Sequence, residues 1–177
     1  MRIACLLDAG FEDSEFRKPY DAFTQAGHDV VVIGTEKGRE CTGKLGKETV
    51  RTDEDIASVT PDHFDALFLP GGYSPDHLRA DRRMVDLARE MMNSDKPVLA
   101  VCHGPQLLMT AGVVRGRRMT AWQTVQDDLR YAGAEVVDEE VVVDGNLVTS
   151  RKPDDLDAFT RESLTLLERE PAVRAGR

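Results

Sequence analysis

The sequence predicts an α/β fold in which a mostly parallel sheet lies between two layers of helices. Short runs that are almost wholly apolar are typical of parallel strands buried on both faces. They alternate along the chain with longer segments whose apolar residues recur at helical spacing. The runs are Ile3 to Leu7, Val30 to Ile33, Ala66 to Leu69 and Val98 to Val101. This alternation indicates strand–helix–strand units joined by right-handed crossovers.

The segments between the runs have the signals of helices. One apolar stripe ends before Gly27, a residue type that favours a helix stop, and a second stripe runs from Met84 to Met92. Pro105 and Pro153 each stand where a helix is expected to begin, because proline suits the first helical turn. We therefore expect helices on both sides of the sheet.

Two segments depart from this alternation. Residues 38–52 are punctuated by glycine and predict a hairpin or an excursion at the edge of the sheet, with Cys41 at an exposed position. Asp144-Gly145 lies between β-forming residues, which is a strong hairpin signal. We expect residues 1–169 to form one domain and residues 170–177 to be a polar C-terminal tail.

Composition narrows the possible partners. The formal net charge of −9 and a pI near 4.9 oppose non-specific binding to nucleic acid or to an anionic membrane. The apolar run at the start is too short for a signal peptide or a membrane span, which indicates a cytoplasmic protein. Three widely spaced cysteines fit reduced thiols, and neither they nor the histidines have metal-ligand spacing, so no metal or cofactor is expected.

Cys102 is the main candidate for chemistry. It ends the fourth apolar run and is followed by His103-Gly104-Pro105 and a new helix. A side chain at such a strand-to-helix turn is lifted out of the sheet, and the free N–H groups of the turn favour its thiolate. The alternative is a buried cysteine that ends a core strand, because free cysteine packs as a small hydrophobe. Neighbouring residues must decide between the two.

Three features bear on that choice, and each has a structural alternative. Glu12 follows the first strand, where its carboxyl can share a proton with the sulfur. Acidic residues at the start of a helix also cap it, and we favour this capping role for Asp13 and Glu15. The glycine pair at residues 71–72 ends another strand and can supply an oxyanion N–H, or form a plain turn. His103 can act as a general base or be structural.

Several motifs in order along the chain carry a family resemblance. They are Gly10-Phe11-Glu12-Asp13, Leu69-Pro70-Gly71-Gly72, Ala100-Val101-Cys102-His103-Gly104-Pro105-Gln106, Ala111 to Arg117, Asp127-Asp128 and Val142 to Asn146. With these motifs the sequence, from about residue 1 to 168, resembles the PfpI branch of the PfpI/ThiJ superfamily. The resemblance implies a flavodoxin-like three-layer α/β/α sandwich with a nucleophile elbow, related to class I glutamine amidotransferase domains. It also implies a homodimer or a hexamer.

The resemblance assigns a role to each matching residue. Cys102 would be the nucleophile, His103 its base, and Glu12 the acid hydrogen-bonded to the sulfur, while Gly72 and His103 would supply the oxyanion N–H groups. Asp76 stands where a carboxylate from a neighbouring subunit orients the histidine, although the family pattern has glutamate there. The expected pocket is lined by Gly71, Tyr73, Gly104 and Trp122. For Trp122 a purely structural role in the core is the alternative.

The implied activity is covalent catalysis by the thiolate on an electrophilic carbonyl, without a cofactor. We favour a glyoxalase or deglycase that acts on reactive carbonyls or glycated proteins, with an intracellular peptidase as the alternative. A redox sensor or stress chaperone that uses an oxidisable Cys102 is the alternative from a different class. A glutaminase is disfavoured, because such enzymes place a catalytic His-x-Glu late in the chain and no histidine follows His103. The Cys102-His103 pair also argues against an isocyanide hydratase.

Overall fold

The computed structural model describes residues 1–169, so the expected tail at residues 170–177 lies outside the described residues. The strands are β1 Arg2–Leu6, β2 Asp29–Gly34, β3 Glu40–Thr42, β4 Thr49–Arg51, β5 Glu54–Asp55, β6 Ala66–Leu69, β7 Val98–Val101, β8 Arg118–Met119, β9 Glu135–Val136, β10 Val141–Asp144 and β11 Leu147–Ser150. The α-helices are α1 Asp13–Gln25, α2 Ser74–Leu78, α3 Arg82–Asn93, α4 Pro105–Thr110, α5 Gln123–Tyr131 and α6 Leu156–Arg169.

A seven-stranded sheet organises the molecule, with the strand order β10-β11-β7-β6-β1-β2-β5. All neighbouring strands are parallel except β10 and β11, which pair antiparallel at one edge. The four apolar runs form β1, β2, β6 and β7, the central strands, as the sequence predicts. Because these strands run in the same direction, their carboxyl ends meet at one edge of the sheet, where such folds bind ligands.

Helices cover both faces of the sheet. In β1, Ile3 and Cys5 point to one side, where residues of α1 and α6 pack on them; Ala4 and Leu6 point to the other, toward α3, α4 and α5. This period of two is the expected geometry of a strand buried on both faces. The predicted three-layer α/β/α sandwich is therefore confirmed. The sequence patterns did not predict α5.

Both predicted hairpins form. β3 and β4 pair antiparallel outside the main sheet, and β10 turns into β11 through Gly145-Asn146. The hairpin of β3 and β4 is not loose, however: the prediction that Cys41 is exposed is wrong, since its side chain is fully buried against the α1 face of the core. The second hairpin extends the main sheet, because β11 pairs parallel with β7.

A buried carboxylate fixes the loop between β3 and β4. Asp13, the first residue of α1, accepts hydrogen bonds from the backbone N–H groups of Leu45, Lys47 and Glu48 at 2.9, 2.8 and 2.9 Å. Burial raises the pKa of the Asp13 carboxyl, but the hydrogen bonds from these amides together have a larger effect. They hold the pKa of the carboxyl below its usual range. The loop is thus attached to the start of α1 at three points.

We predict that Asp13→Asn lowers the free energy of unfolding by about 2 kcal/mol at neutral pH, because an amide cannot replace an anion that accepts three N–H donors. Since the folded pKa is lowered, wild type should have this extra stability above about pH 4, the ordinary pKa of Asp, and lose it as the pH falls through the lower folded pKa. Urea unfolding at pH 7 and at pH 3 measures both effects.

Asp128→Asn is the matched control, because Asp128 is exposed on α5 and should give a difference near zero at both pH values. A difference between wild type and Asp13→Asn that does not shrink at low pH would contradict the role given to the Asp13 charge.

Candidate active site

Cys102 lies directly after β7 and has a strained backbone conformation. Its φ is 62°, an uncommon value for any residue except glycine. Two hydrogen bonds maintain it: the Cys102 N–H donates to the Ser150 carbonyl, and the Trp122 N–H donates to the Cys102 carbonyl, each at 2.9 Å. The turn is the predicted nucleophile elbow, and it places the thiol at the carboxyl edge of the sheet.

Two backbone amides point at the sulfur. Burial raises the pKa of the Cys102 thiol, and the N–H groups of Gly72 and His103, which both hydrogen-bond to Cys102, partly offset this rise because they favour the charged form. Close packing requires the glycine pair: a Cβ on Gly71 would overlap the Glu15 carboxyl, and Gly72, with φ of 80°, lies against the backbone of Gly10 and Glu12. The amides predicted to bind an oxyanion therefore converge on Cys102.

Glu15 is the carboxylic acid beside the thiol. Its side chain is fully buried, and Oε2 accepts a hydrogen bond from the Gly71 N–H at 3.0 Å. The carboxyl also faces Cys102 closely enough to shift the pKa of both groups, whereas its Oε1 makes no hydrogen bond of ordinary geometry with a described residue. Burial and the negative charge of Glu12 raise the pKa of Glu15 to about 8, so it carries a proton at neutral pH.

The structure corrects the prediction that Glu12 is the acid at the sulfur. Glu12 is the N-cap of α1, and its Oε2 accepts hydrogen bonds from the Glu15 N–H at 2.8 Å and the Ser14 hydroxyl at 2.5 Å. It lines the cleft above the thiol, but its carboxyl is engaged by the helix. The expected roles are thus exchanged: Glu12 caps the helix and Glu15, one turn later, reaches the cysteine.

The charge state of Cys102 depends on Glu15. Burial raises the pKa of the thiol, and a negative charge on Glu15 raises it further. When Glu15 is protonated the second cause disappears, and the carboxylic acid can donate to the sulfur together with the two amides. Cys102 and Glu15 therefore favour a state in which the pair carries at most one negative charge.

His103 is in position to exchange a proton with the thiol. Its Nδ1 lies 3.3 Å from Sγ of Cys102, and its ring stacks on Trp122 with centroids 6.2 Å apart. Burial and the positive charge of Lys44 lower the pKa of His103, against a smaller opposite effect of Asp76. The imidazole is consequently neutral at pH 7 and can accept a proton.

Asp76 lies on α2 and is largely exposed. Its Oδ1 pairs with Arg79 at 2.9 Å, and the side chain is 61% exposed. Its charge acts on His103 of the same chain without a hydrogen bond between the two side chains. The expected contact of Asp76 with the histidine of a second subunit stays a prediction.

A cleft of about 480 Å³ opens above the sulfur. Of the four expected pocket residues, Tyr73 and Trp122 line it, whereas Gly71 and Gly104 are not among its lining residues and instead allow close packing of neighbouring atoms. The lining residues are Glu12, Glu15, Lys44, Leu45, Gly72, Tyr73, Cys102, His103, Trp122 and Pro153. Sequence reasoning missed Lys44 and Leu45, which come from the loop that Asp13 holds.

Within residues 1–169 the structure shows no cluster of three or more potential metal-binding side chains. None of the described helices has the length and apolar character needed to cross a membrane.

Comparison with known proteins matches the chain to a family. The family model described as "DJ-1/PfpI family" covers residues 1–166. The chain belongs to the DJ-1/PfpI family. The alignments with three relatives span 94–95% of this chain and 97–98% of each relative's own length. "Protein/nucleic acid deglycase 2" of Escherichia coli is 54% identical, and "General stress protein 18" and "Putative cysteine protease YraA", both of Bacillus subtilis, are 51% and 48% identical.

Solved structures of DJ-1/PfpI proteins share the fold. A two-domain protein from Anabaena variabilis, with DJ-1/ThiJ/PfpI-like and ferritin-like domains, superposes with a TM-score of 0.93 at 39% identity. The match covers 95% of this chain and 50% of the Anabaena chain. DJ-1beta of Drosophila melanogaster superposes with a TM-score of 0.85 at 28% identity, covering 93% of this chain and 89% of its own.

We predict that Glu15→Gln removes a pH dependence of stability. The folded pKa of Glu15 is raised, so its protonated form stabilises wild type fully below about pH 4.5, and this contribution is lost as the pH rises to about 8. Between these two pH values, the contribution of Glu15 to the free energy of unfolding falls by up to about 1.4 kcal/mol per pH unit. Chemical unfolding of wild type and variant at pH 5, 6.5 and 8 measures the difference.

Glu90→Gln, at an exposed position on α3, is the control and should leave the pH profile of wild type unchanged. Parallel profiles for wild type and Glu15→Gln would show that Glu15 is ionised at neutral pH, against the prediction.

Proposed function

We propose that this protein is a cysteine-dependent enzyme that acts on reactive carbonyls, as a glyoxalase or protein deglycase. One observation carries the proposal: two backbone amides, a protonated Glu15 and the neutral imidazole of His103 converge on the sulfur of Cys102 at the base of a cleft. A nucleophile, a base and oxyanion donors within reach of one point are the requirements for covalent catalysis on a carbonyl.

The proposed reaction begins when His103 takes the thiol proton and the thiolate adds to an aldehyde carbon of a 2-oxoaldehyde. A C–S bond forms, and the electron pair of the C=O bond moves to the oxygen, which the Gly72 and His103 amides stabilise and which then takes a proton. From a glycated amine the same attack expels the amine, which leaves with the electron pair of its C–N bond and gains a proton. Both routes give the same hemithioacetal.

Two further steps release the product. The proton on the former aldehyde carbon moves to the neighbouring carbonyl carbon through an enediol, with His103 as the base, which converts the hemithioacetal into a 2-hydroxyacyl thioester. Water then adds to the thioester, the C–S bond breaks, and the electron pair returns to the sulfur. The carbonyl compound thus becomes a 2-hydroxy acid by an internal redox change, and no external oxidant or cofactor is consumed.

The comparisons support this substrate class. A relative that is 54% identical over nearly its full length is named a protein/nucleic acid deglycase, and another is named a general stress protein. The net charge of −9 disfavours non-specific binding to nucleic acid. We therefore propose small carbonyls and glycated proteins as the substrates of this chain.

A peptidase is the second candidate, because the relative at 48% identity has a cysteine protease in its name. The same sulfur, amides and imidazole would attack a peptide carbonyl, with His103 protonating the leaving amine. The two activities differ in what must enter the cleft, so a substrate panel separates them.

We also propose a cytoplasmic homodimer or hexamer. The three cysteines are unpaired, as in a reducing compartment. Asp76 and Tyr73 are both largely exposed beside the cleft, which leaves Asp76 accessible to His103 of a second subunit. Light scattering coupled to size-exclusion chromatography gives the number of subunits.

We predict that Cys102→Ser abolishes turnover of methylglyoxal and of glycated amino acids, with a loss of at least about 10³-fold in kcat/KM. The reason is that the serine hydroxyl is a far weaker nucleophile than a cysteine thiolate. Lactate release by purified protein, free of contaminating glyoxalase, is the measurement. Cys41→Ala is the matched control, since Cys41 is buried outside the cleft and its loss should leave kcat/KM within a few-fold of wild type once folding is verified.

Other outcomes would overturn the proposal. Turnover of methylglyoxal by Cys102→Ser would exclude covalent catalysis by this sulfur. Cleavage of a fluorogenic peptide by wild type, without turnover of carbonyls, would favour the peptidase. Oxidation confined to Cys102 after mild peroxide, seen by mass spectrometry with neither turnover, would favour the redox sensor.

A further inference from the structure

Lys44 is a positive charge in the cleft that the proposed mechanism does not use. It lies on the loop between β3 and β4 and lines the cleft, with Nζ 6.0 Å from the centroid of the Tyr73 ring. Lys18 and Lys37 form ion pairs at 2.6 and 3.2 Å, whereas Lys44 forms none with a described residue. Its charge is therefore available to a ligand.

The ammonium group shares the cleft with the groups around the sulfur, since Lys44, Glu15, Cys102 and His103 all line it. Its charge lowers the pKa of both Glu15 and His103. Among residues 1–169, Lys44 is the only lysine or arginine that lines the cleft. An anionic group that enters would therefore meet this cation in the same cleft as the sulfur.

The backbone that carries Lys44 is held firmly. Its N–H donates to the Phe11 carbonyl at 2.8 Å, and Asp13 accepts from three amides of the same loop. Glu48, at the end of the loop, pairs with Arg17 of α1 at 2.9 Å. A fixed backbone reduces the entropy lost when the side chain engages a ligand.

We propose that Lys44 binds the carboxylate of a 2-hydroxy acid, and thereby determines the acid product that the cleft accommodates. The inference rests on the proposed function, which generates such an acid at Cys102. One ammonium balances a single negative charge. A doubly charged phosphate would keep one uncompensated negative charge in a cleft that Glu12 also lines. The repulsion between these negative charges disfavours phosphate compounds.

Binding can be tested without turnover. Trp122 is the only tryptophan of the chain and lines the cleft, so its fluorescence reports occupancy. In Cys102→Ala protein, we expect sodium lactate to change this fluorescence with saturation, at ionic strength held constant with sodium chloride. The neutral analogue lactamide should bind at least about 10-fold more weakly, because it lacks the charge that Lys44 attracts.

Variants of the loop between β3 and β4 test whether Lys44 is the residue that binds lactate. Adding Lys44→Met to Cys102→Ala should weaken lactate binding by about 10-fold or more and leave lactamide binding unchanged, whereas Lys44→Arg should retain most lactate binding. Lys47→Met is the matched control, since Lys47 is exposed on the same loop outside the cleft lining, and it should bind lactate like the parent. Circular dichroism verifies that each variant is folded.

Equal binding of lactate and lactamide, no binding of lactate, or lactate binding that survives Lys44→Met would each overturn the inference. So would tighter binding of inorganic phosphate than of lactate. These outcomes are independent of the proposed function, whose own test is carbonyl turnover by wild type and its loss in Cys102→Ser.

Discussion

The hydrogen bond from the Gly71 amide to the Glu15 carboxyl is the constraint on which the rest of the site depends. It joins the turn after β6 to the first turn of α1, and so brings a carboxylic acid to the sulfur that follows β7. A side chain at residue 71 would occupy the place of that carboxyl. Gly71 is therefore needed for the Glu15 carboxyl to lie beside the sulfur. The same turn directs the next amide, that of Gly72, at the sulfur.

The electrostatics of the site follow from this arrangement. Burial alone would keep both the thiol and the carboxyl neutral, and each negative charge opposes the other. The two amide dipoles and a protonated Glu15 favour the thiolate against this effect of burial, and the neutral imidazole of His103 can accept the thiol proton. The proposed reactivity thus depends on several groups together and is not an intrinsic property of the cysteine.

The sequence was sufficient for the central strands, the two hairpin segments and the turn at Cys102. Continuous apolar runs, glycine or Asp-Gly at turns and a strand-to-helix break are all local signals. The sequence was misleading for the acid. Glutamate is an unusual N-cap, so the sequence favours Asp13 and Glu15 as the capping residues. In the structure Glu12 is the N-cap, α1 begins at Asp13, and the Glu15 carboxyl faces Cys102. Lys44 had no local signal, because only tertiary hydrogen bonds bring its loop over the thiol.

The position of β11 has a consequence for the order in which the molecule is assembled during synthesis. The Cys102 amide donates to the carbonyl of Ser150, and β11 is the parallel neighbour of β7. On the ribosome, residue 102 is made well before residue 150, so the emerging chain contains the cysteine long before the partner that fixes its left-handed backbone. The backbone at Cys102 therefore acquires its final hydrogen bonds late, after nearly the whole sheet has been translated, and an incomplete nascent chain lacks the finished turn.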